Sequence, residues 1–444
     1  MNDTKWDLVI IGGGITGLSL AHQALKDQLK CLIVEKEESL GGLAGSFSFK
    51  NGIEVEKYYH HWFKSDRAAL DLIEQLDLSN KMIFKETHTS LLYKGTNWRL
   101  TKPADVLKFS ELKFFDRLRL GALLVRARML KEPTEIENES AINWLVRLGG
   151  KEVYRIVWQP LLEGKFGKYA SRLSAVWIWK KLQLRGGSRN LKGEEKLIYF
   201  DGGFRTLISE WEKSLLASGC HIRKNMEIVR IEASHEKEVS LQDSEGNLLK
   251  ARKIVFTADT HSLSKLVSSY NDAEIAKWKA SLEDIVYLGN ICLVLQNRSK
   301  MSNSYWTNIN DPGFPFVGVI EHTNLDQAKN YSDCHIVFLS QYLSHDHENW
   351  SLTDKEYFQM ATRKLREAFP IFSTDDVLDY KIHRTKFAQP LMSLGYREKI
   401  PLSETPFVNL YLCTMAQIYP EDRGTNYAIE YANNFYSRLI KIEK

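Results

Sequence analysis

The chain has 444 residues, of which 43% are hydrophobic and 26% are charged, and its formal net charge is +4. This composition is that of a globular protein and excludes disordered, collagen-like and coiled-coil chains, while the length favours two packed domains. The small net charge gives no reason to expect a nucleic-acid partner.

The first predicted element is a buried strand that runs into a glycine-rich turn. The apolar run Leu8–Ile11 is typical of a parallel strand covered on both faces. Gly12, Gly14 and Gly17 follow it with the spacing G-x-G-x-x-G, which allows a tight turn, close approach of a pyrophosphate and close packing of helix on strand. The helix that begins at Ile15 and Thr16 would then point its N-terminus at the phosphates.

A second strand and an acidic residue complete this unit. Cys31–Val34 is a short apolar run, and Glu35 follows it about 20 residues after the glycines, where a ribose-binding acid is expected. We predict that Glu35, with Lys36 beside it, contacts the adenosine ribose. Strand, helix, second strand and terminal acid together predict a dinucleotide-binding domain rather than an isolated glycine turn.

The next motif distinguishes flavin from nicotinamide. Gly41 and Gly42 follow Glu35 in "EKEESLGGLAGSF", and here the sequence resembles the glutathione-reductase-like FAD superfamily, especially its amine oxidase, protoporphyrinogen oxidase and phytoene desaturase branch. The resemblance implies FAD as the cofactor, with the glycine doublet passing close to it. Leu43 stands where many members of that branch have arginine.

The stretch "EVEKYYHHWFKSD" is expected to cross the flavin. The resembled branch has a histidine-containing run here, and UDP-galactopyranose mutases carry a similar one. His61 matches the histidine of that run, whereas Tyr59 stands in place of its usual glycine. His60 and His61 would point to opposite sides of an extended chain, so no metal site is expected. His61 either packs beside aromatic residues or acts as an acid–base group at the flavin; we take it as the candidate catalytic residue.

Two basic segments follow in the first long insertion. "KFSELKFFDRLRLGALLVRARMLK" predicts a basic amphipathic helix that either lies on a membrane surface or packs with a solvated face. Further on, three tryptophans lie among basic residues. They either form a core or line a pocket for a large or anionic substrate. These residues are Trp158, Trp177 and Trp179, with Lys165, Lys168, Arg172, Lys180, Lys181 and Arg185.

Three later segments extend the resemblance to the rest of the chain. Gly202 and Gly203 open a helix that leads to a strand in which Val229 would offer backbone hydrogen bonds to the adenine. "ARKIVFTAD" predicts a strand that returns the chain to the FAD domain. The strand Leu410–Cys413 then leads to a last helix, and the residues before and at its start are expected at the ribityl chain and pyrimidine edge. These are Asp422, Arg423, Gly424 and Asn426.

The predicted fold is α/β: a glutathione-reductase-like, FAD-binding Rossmann domain with an inserted α+β substrate domain that contains a mixed sheet and helices. The FAD-binding domain would comprise residues 1–90, 195–265 and 405–444, and the substrate domain residues 91–194 and 266–404. In the second insertion Arg384 and Tyr396 are candidates for binding a substrate anion, by their position relative to the mutases.

The resemblance implies an FAD-dependent oxidoreductase that transfers hydride from an organic substrate to flavin N5. The alternative is a non-redox flavoenzyme that acts on a nucleotide-linked or lipid-linked sugar. We expect a small-molecule or lipid-like substrate and no nucleic acid, with peripheral membrane contact as an open alternative. The sequence does not indicate the oligomeric state. Five widely spaced cysteines indicate reduced thiols in a cytoplasmic protein, and no run reaches the roughly twenty apolar residues of a membrane span.

Overall fold

The computed structural model describes residues 6–100, 103–187, 196–233, 239–267 and 272–441; the side chain of Arg185 lies outside the described set. Two seven-stranded sheets form the centre of the molecule. The strands are β1 (Trp6–Ile11), β2 (Cys31–Val34), β3 (Ser46–Ser48), β4 (Glu54–Glu56), β5 (Met82–Glu86), β6 (Thr89–Tyr93), β7 (Thr96–Arg99), β8 (Lys196–Phe200), β9 (His221–Arg223), β10 (Ile228–Ala233), β11 (Val239–Asp243), β12 (Leu248–Phe256), β13 (Tyr287–Asn297), β14 (Trp306–Ile309), β15 (Gly318–Glu321), β16 (His335–Leu343), β17 (Val377–Pro390) and β18 (Leu410–Leu412).

Helices cover both sheets. They are α1 (Ile15–Lys26), α2 (Arg67–Gln75), α3 (Pro103–Lys108), α4 (Phe114–Met129), α5 (Ala141–Gly149), α6 (Lys151–Val153), α7 (Gln159–Phe166), α8 (Ala175–Gly187), α9 (Gly203–Ala217), α10 (Thr260–Leu266), α11 (Ala273–Glu283), α12 (Asp354–Ala368) and α13 (Thr425–Leu439). No helix within the described ranges has the length and apolar character needed to cross a membrane.

The first sheet has the strand order β10-β11-β12-β1-β2-β9, with β18 also paired to β12. Strands β12, β1, β2, β9 and β18 run parallel. Side chains of β1 alternate between two cores: Leu8 and Ile10 pack with the core that includes α1, α9 and α13, and Val9 and Ile11 with the core on the other face. Burial on both faces explains why this strand is apolar throughout.

The second sheet has the order β17-β13-β16-β15-β14-β6-β7. It is mixed, because β6 pairs with β14 in parallel while the other neighbours are antiparallel. Strand β13, predicted as a central strand from "GNICLVLQ", is buried along its whole length. Ile291 and Leu293 face helix α12, whereas Cys292 and Val294 share a core with the first sheet. The second sheet therefore presents one face to the first.

A layer of helices from the first insertion packs beside the second sheet. Trp144, Trp177 and Trp179 belong to its core. The indole of Trp179 donates to the carbonyl of Ala127 at 2.9 Å. Trp179 is therefore a core residue, which is one of the two roles predicted for it. The predicted basic helix covers only Phe114–Met129, preceded by the short α3. The division into two domains stays a prediction; β6, which begins at Thr89, already belongs to the second sheet.

Candidate functional site

The parallel strands of the first sheet end at one edge. Strands β1, β2, β12 and β18 finish at Ile11, Val34, Phe256 and Leu412, so the loops that follow them lie close together. In an open α/β sheet, ligands bind in the crevice outside the carboxyl ends of the strands. The glycine turn, Glu35 and the loop before α13 all lie at this edge.

Steric contacts explain two glycines of the first turn. Gly12 has φ of 110°, and a Cβ placed on it would lie 2.5 Å from Thr257 Oγ1. A Cβ on Gly17 would lie 2.0 Å from the carbonyl oxygen of Gly12, which no side chain could tolerate without moving the turn. The Thr257 hydroxyl donates to the Ile11 carbonyl at 2.9 Å and so holds the turn from the neighbouring strand.

The glycine doublet lies directly against this turn. Gly41 N donates to the Gly13 carbonyl at 2.8 Å. A Cβ on Gly42 would lie 3.2 Å from the Cα of Gly14, and both doublet residues have positive φ. The two turns therefore form one surface of bare backbone. Helix α1 begins there without a side-chain cap, so its first N–H groups are available to an anion. Leu43 lies in the short helical turn that follows.

Glu35 joins the turn to the next loop. It is only 7% exposed. Its Oε2 accepts from Gly13 N at 2.7 Å and its Oε1 accepts from Glu37 N at 2.9 Å. Lys36, in contrast, is exposed and lies 3.9 Å from the carboxylate of Glu37. The Glu35 carboxylate thus lies beside the glycine turn, while the Lys36 ammonium points into solvent.

The strand predicted to pass the adenine lies next to Glu35. Met226 N donates to the Glu35 carbonyl at 2.9 Å, which brings the start of β10 to the ribose side of the site. The pairing of β10 with β11 shifts register between Ile228 and Arg230, so Val229 lies at a bulge. Its side chain is 46% exposed. The structure therefore brings Val229 near Glu35. Because Val229 lies at the bulge, its backbone is outside the regular pairing of β10 with β11.

The start of α13 is tied to the segment after the two histidines. The Asn426 side-chain oxygen accepts from Ala69 N at 3.1 Å, and Thr425 Oγ1 accepts from the indole of Trp62 at 2.7 Å. Gly424 precedes the helix, which has no side-chain cap. Two helix N-termini, those of α1 and α13, therefore open toward the same crevice.

Asp422 and Arg423 contact the inserted layers instead. Asp422 accepts from the indole of Trp177 at 3.2 Å and from Gln389 Nε2 at 3.1 Å, and pairs with Lys181. Burial alone would raise the pKa of this carboxyl, but the neighbouring cations, Lys181 foremost, hold it well below its ordinary range. Arg423 Nη2 donates to the Tyr342 hydroxyl on β16 at 2.7 Å.

The two histidines have different neighbours. His60 Nδ1 donates to the Tyr58 carbonyl at 2.6 Å, and its ring packs on Phe204. Burial lowers the pKa of His60 to about 4, so the ring is neutral at pH 7. His61 Nδ1 lies 3.0 Å from the Tyr305 hydroxyl. In the parts of the chain that the structure describes, no group of three or more potential ligands could hold a metal ion.

The two candidates for substrate binding lie elsewhere. Arg384 is paired with Ile291 across β13 and β17, on the sheet face that packs on α12; its guanidinium contacts Asp354 and the Leu352 carbonyl. Tyr396 is 3% exposed and donates to the Ala416 carbonyl at 2.7 Å. The structure does not bring either side chain into the crevice.

Some residues of the site were not found from the sequence. Glu56, which is 1% exposed, accepts from the Tyr199 hydroxyl at 2.6 Å and from Phe204 N at 2.7 Å, and so fixes the start of α9. Tyr342 and Gln389 lie on β16 and β17 and reach the loop before α13. No local motif marks these residues, because each depends on partners far away in the chain.

Comparison with known families supports a flavin protein. The profile described as flavin containing amine oxidoreductase matches residues 15–421. Coproporphyrinogen III oxidase of Bacillus subtilis (strain 168) is 24% identical over 300 residues, covering 60% of this chain and 63% of that protein. Zeta-carotene desaturase of Zea mays is 26% identical over 179 residues, covering 35% of this chain and 31% of that protein. The chain thus matches less than two thirds of the length of these relatives.

Solved structures show the same fold. A putative protoporphyrinogen oxidase from Exiguobacterium sp. 255-15 superposes with a TM-score of 0.75 at 17% identity, covering 99% of this chain and 100% of that one. Reduced UDP-galactopyranose mutase gives a TM-score of 0.78 at 14% identity, with 99% and 96% coverage. Putrescine oxidase gives 0.72 at 13% identity, with 98% and 99% coverage.

Proposed function

The chain belongs to the flavin containing amine oxidoreductase family and is an FAD-dependent oxidoreductase, and from this premise we propose that it takes hydride from a carbon of an organic substrate onto flavin N5. The observation that carries the proposal is the contact between Gly14 and Gly42 at the carboxyl edge of the first sheet. Two turns of bare backbone, beside a helix N-terminus and a buried acid, fit a dinucleotide and leave no room for larger side chains.

Different segments of this chain would bind different parts of FAD. The first N–H groups of α1 face the diphosphate, Glu35 accepts from the ribose, and the start of α13 at Asn426 faces the pyrimidine edge of the flavin. When bound, FAD supplies the hydride acceptor. Tyr342 and Gln389 of the second sheet reach the loop before α13, and this layer would shield the bound flavin from water.

His61 is proposed to move the proton that accompanies hydride transfer. Its imidazole is held by the contact of Nδ1 with Tyr305, a buried residue immediately before β14. A ring held from that side can exchange a proton with a substrate without losing its orientation. His60, neutral and packed on Phe204, is assigned to packing.

Anaerobic spectroscopy of the purified, FAD-loaded protein tests this function. Protein mixed with a panel of amines, porphyrinogens, polyenes and sugar-linked compounds should lose its flavin absorbance with one class only, and should regain it when an acceptor is added. Product and consumed acceptor should then be equal in amount. A colourless protein that takes up no added FAD would refute the proposal at its first step.

A non-redox role is the second candidate, favoured by the fold shared with reduced UDP-galactopyranose mutase. In that case the flavin would have to be reduced before the reaction and would stay reduced throughout it. The acceptor therefore separates the two functions: an oxidoreductase consumes it in step with product, whereas an isomerase forms product without consuming any.

We also propose that helices α3 and α4 rest on an anionic membrane surface. Of the large hydrophobic side chains exposed in the described ranges, six lie on these two helices, between 47% and 74% exposed. Exposed cations flank them at Lys108, Lys113, Arg126 and Lys131. An apolar stripe bordered by positive charge fits an anionic bilayer. The six residues are Leu107, Phe114, Phe115, Leu118, Val125 and Met129.

Sedimentation with lipid vesicles tests this contact. The protein should bind vesicles that contain phosphatidylserine, and less to phosphatidylcholine alone. Phe115→Ser together with Met129→Ser should abolish binding, whereas Leu402→Ser, at a side chain 76% exposed elsewhere on the surface, should not. Equal binding by the parent and by both variants would exclude the stripe as the contact.

A further inference from the structure

Cationic side chains collect where the inserted layers meet the loop before α13. Lys165 lies at the end of α7, Lys181 on α8 and Arg423 in the loop itself. The ammonium of Lys165 lies 4.8 Å from the ring centre of Tyr342, and the guanidinium of Arg423 lies 5.9 Å from the same centre. Two cations from different parts of the chain therefore share one aromatic ring.

The carboxylate nearest to these groups is already committed. Asp422 pairs with Lys181 and accepts from Trp177 and Gln389. Arg423 donates to the Tyr342 hydroxyl, and its Nε is a buried donor without a hydrogen-bond partner. The Asp422 charge attracts Arg423 as well as Lys181. The unpartnered Nε of the guanidinium is nevertheless costly, and an anionic ligand that reached it would remove that cost.

Arg423 and its neighbours are only partly buried. Tyr59, Tyr342, Lys165 and Arg423 each keep some accessible surface. The ring of Tyr59 packs edge-on against Trp306, at 5.0 Å, and forms part of the wall provided by the second sheet. Burial raises the pKa of Tyr59 far above its ordinary value, so this wall adds no negative charge.

We infer that Arg423, together with Lys165, binds an anionic group of the substrate, either a carboxylate or a phosphate. This inference rests on the proposed function, because it assigns a substrate class to the same site. The planar guanidinium suits both anions, and Lys165 adds a second positive charge held over Trp177 and Tyr342. The same charges repel cationic amines, so a polyamine should bind at this position more weakly than an anion.

Calorimetric titration of the FAD-loaded protein tests the site with three probes. Coproporphyrin III supplies carboxylates, UDP supplies a diphosphate, and putrescine is a dication. We expect at least one anionic probe to bind at least tenfold more tightly than putrescine. Its Kd should rise about 10- to 100-fold in Arg423→Gln and in Lys165→Gln, and less in Arg423→Lys. Lys168→Gln is the matched control, since Lys168 is exposed and pairs with Asp346 at 2.6 Å.

The outcomes separate the sources of the anion. Binding of coproporphyrin III alone identifies carboxylates, binding of UDP alone identifies phosphates, and binding of both supports a general anion site. If neither binds better than putrescine, or if Lys168→Gln weakens binding as much as Arg423→Gln, the assignment is overturned. FAD content and circular dichroism show whether each variant is folded. If Arg423→Gln is unfolded, Arg423→Lys, which keeps the positive charge, takes its place in the comparison.

The anion site and the proposed oxidation can be refuted separately, the first by probe binding and the second by flavin reduction. A protein that binds an anionic probe through Arg423, but whose flavin no compound reduces, contradicts the proposed oxidation and leaves the anion site in place. A protein whose flavin is reduced by putrescine supports the oxidation and overturns the anion site.

Discussion

Two glycines within helices provide a direct test of the dinucleotide turn. Gly17 in α1 and Gly121 in α4 both lie where alanine is the better helix former, by about 1 kcal/mol. A Cβ on Gly121 would meet nothing within 4 Å, whereas a Cβ on Gly17 would lie 2.0 Å from the carbonyl oxygen of Gly12. The same substitution should therefore have opposite effects at the two positions.

The magnitude follows from the size of the overlap at Gly17. A carbon and an oxygen in ordinary contact are separated by well over 3 Å, so the turn that contains Gly12 must move by about 1 Å or more. Overpacking of this kind costs about 1–3 kcal/mol or more, which exceeds the gain in helix propensity. Gly17→Ala should therefore lower the free energy of unfolding, and it should weaken FAD binding at least tenfold because the displaced turn carries the contacts to the diphosphate.

Two measurements on each variant check this prediction. Urea unfolding of the FAD-free protein gives the stability, and quenching of FAD fluorescence gives the Kd. Gly121→Ala should be more stable than the parent by about 0.5–1 kcal/mol, with an unchanged Kd. The reasoning would be refuted by a Gly17→Ala protein that unfolds and binds FAD like the parent.

Three further predictions concern single side chains. Glu35→Ala should raise the Kd for FAD about 10- to 100-fold in equilibrium titration, since a charged acceptor is lost; an unchanged Kd would mean that this acid does not bind the ribose. His61→Ala should lower turnover by about two to four decades with FAD retained, whereas His60→Ala should reduce stability; full turnover in His61→Ala would contradict the assignment. Burial raises the pKa of Asp66 from 3.8 to about 6, so the folded state loses stability as pH rises through that range. Asp66→Asn should therefore raise the free energy of unfolding by about 1–3 kcal/mol at pH 7.5 and leave it unchanged below pH 4, as thermal denaturation at both pH values would show.

The sequence was most informative where the backbone itself sets the requirement. Gly12, Gly17 and the doublet at Gly41 were predicted because a turn with positive φ or a close contact between chains admits only glycine, and the structure has those features. Glu35 could be located because it ends a strand at a fixed distance from the turn.

The substrate side was predicted poorly, because it depends on which face of a strand looks into the crevice. Arg384 lies on β17, where neighbouring side chains point to opposite faces, and nothing in the local sequence shows that its face packs on α12. Lys165 and Trp177 were left between core and pocket roles. Trp177 belongs to a core and its indole donates to Asp422, while the pocket role stays a prediction for both residues.

The proposed flavin crevice joins segments that are far apart in the chain, and this determines when it can form. Gln23 of α1 and Asn433 of α13 are bonded at 3.0 Å although 410 residues separate them. During synthesis the glycine turn emerges long before the helix that completes the crevice, so the newly made chain cannot hold the flavin until α13 has been made. Cofactor loading therefore has to wait for the synthesis of α13. A messenger truncated shortly before α13 would yield a protein that lacks the cofactor, rather than a weakened enzyme.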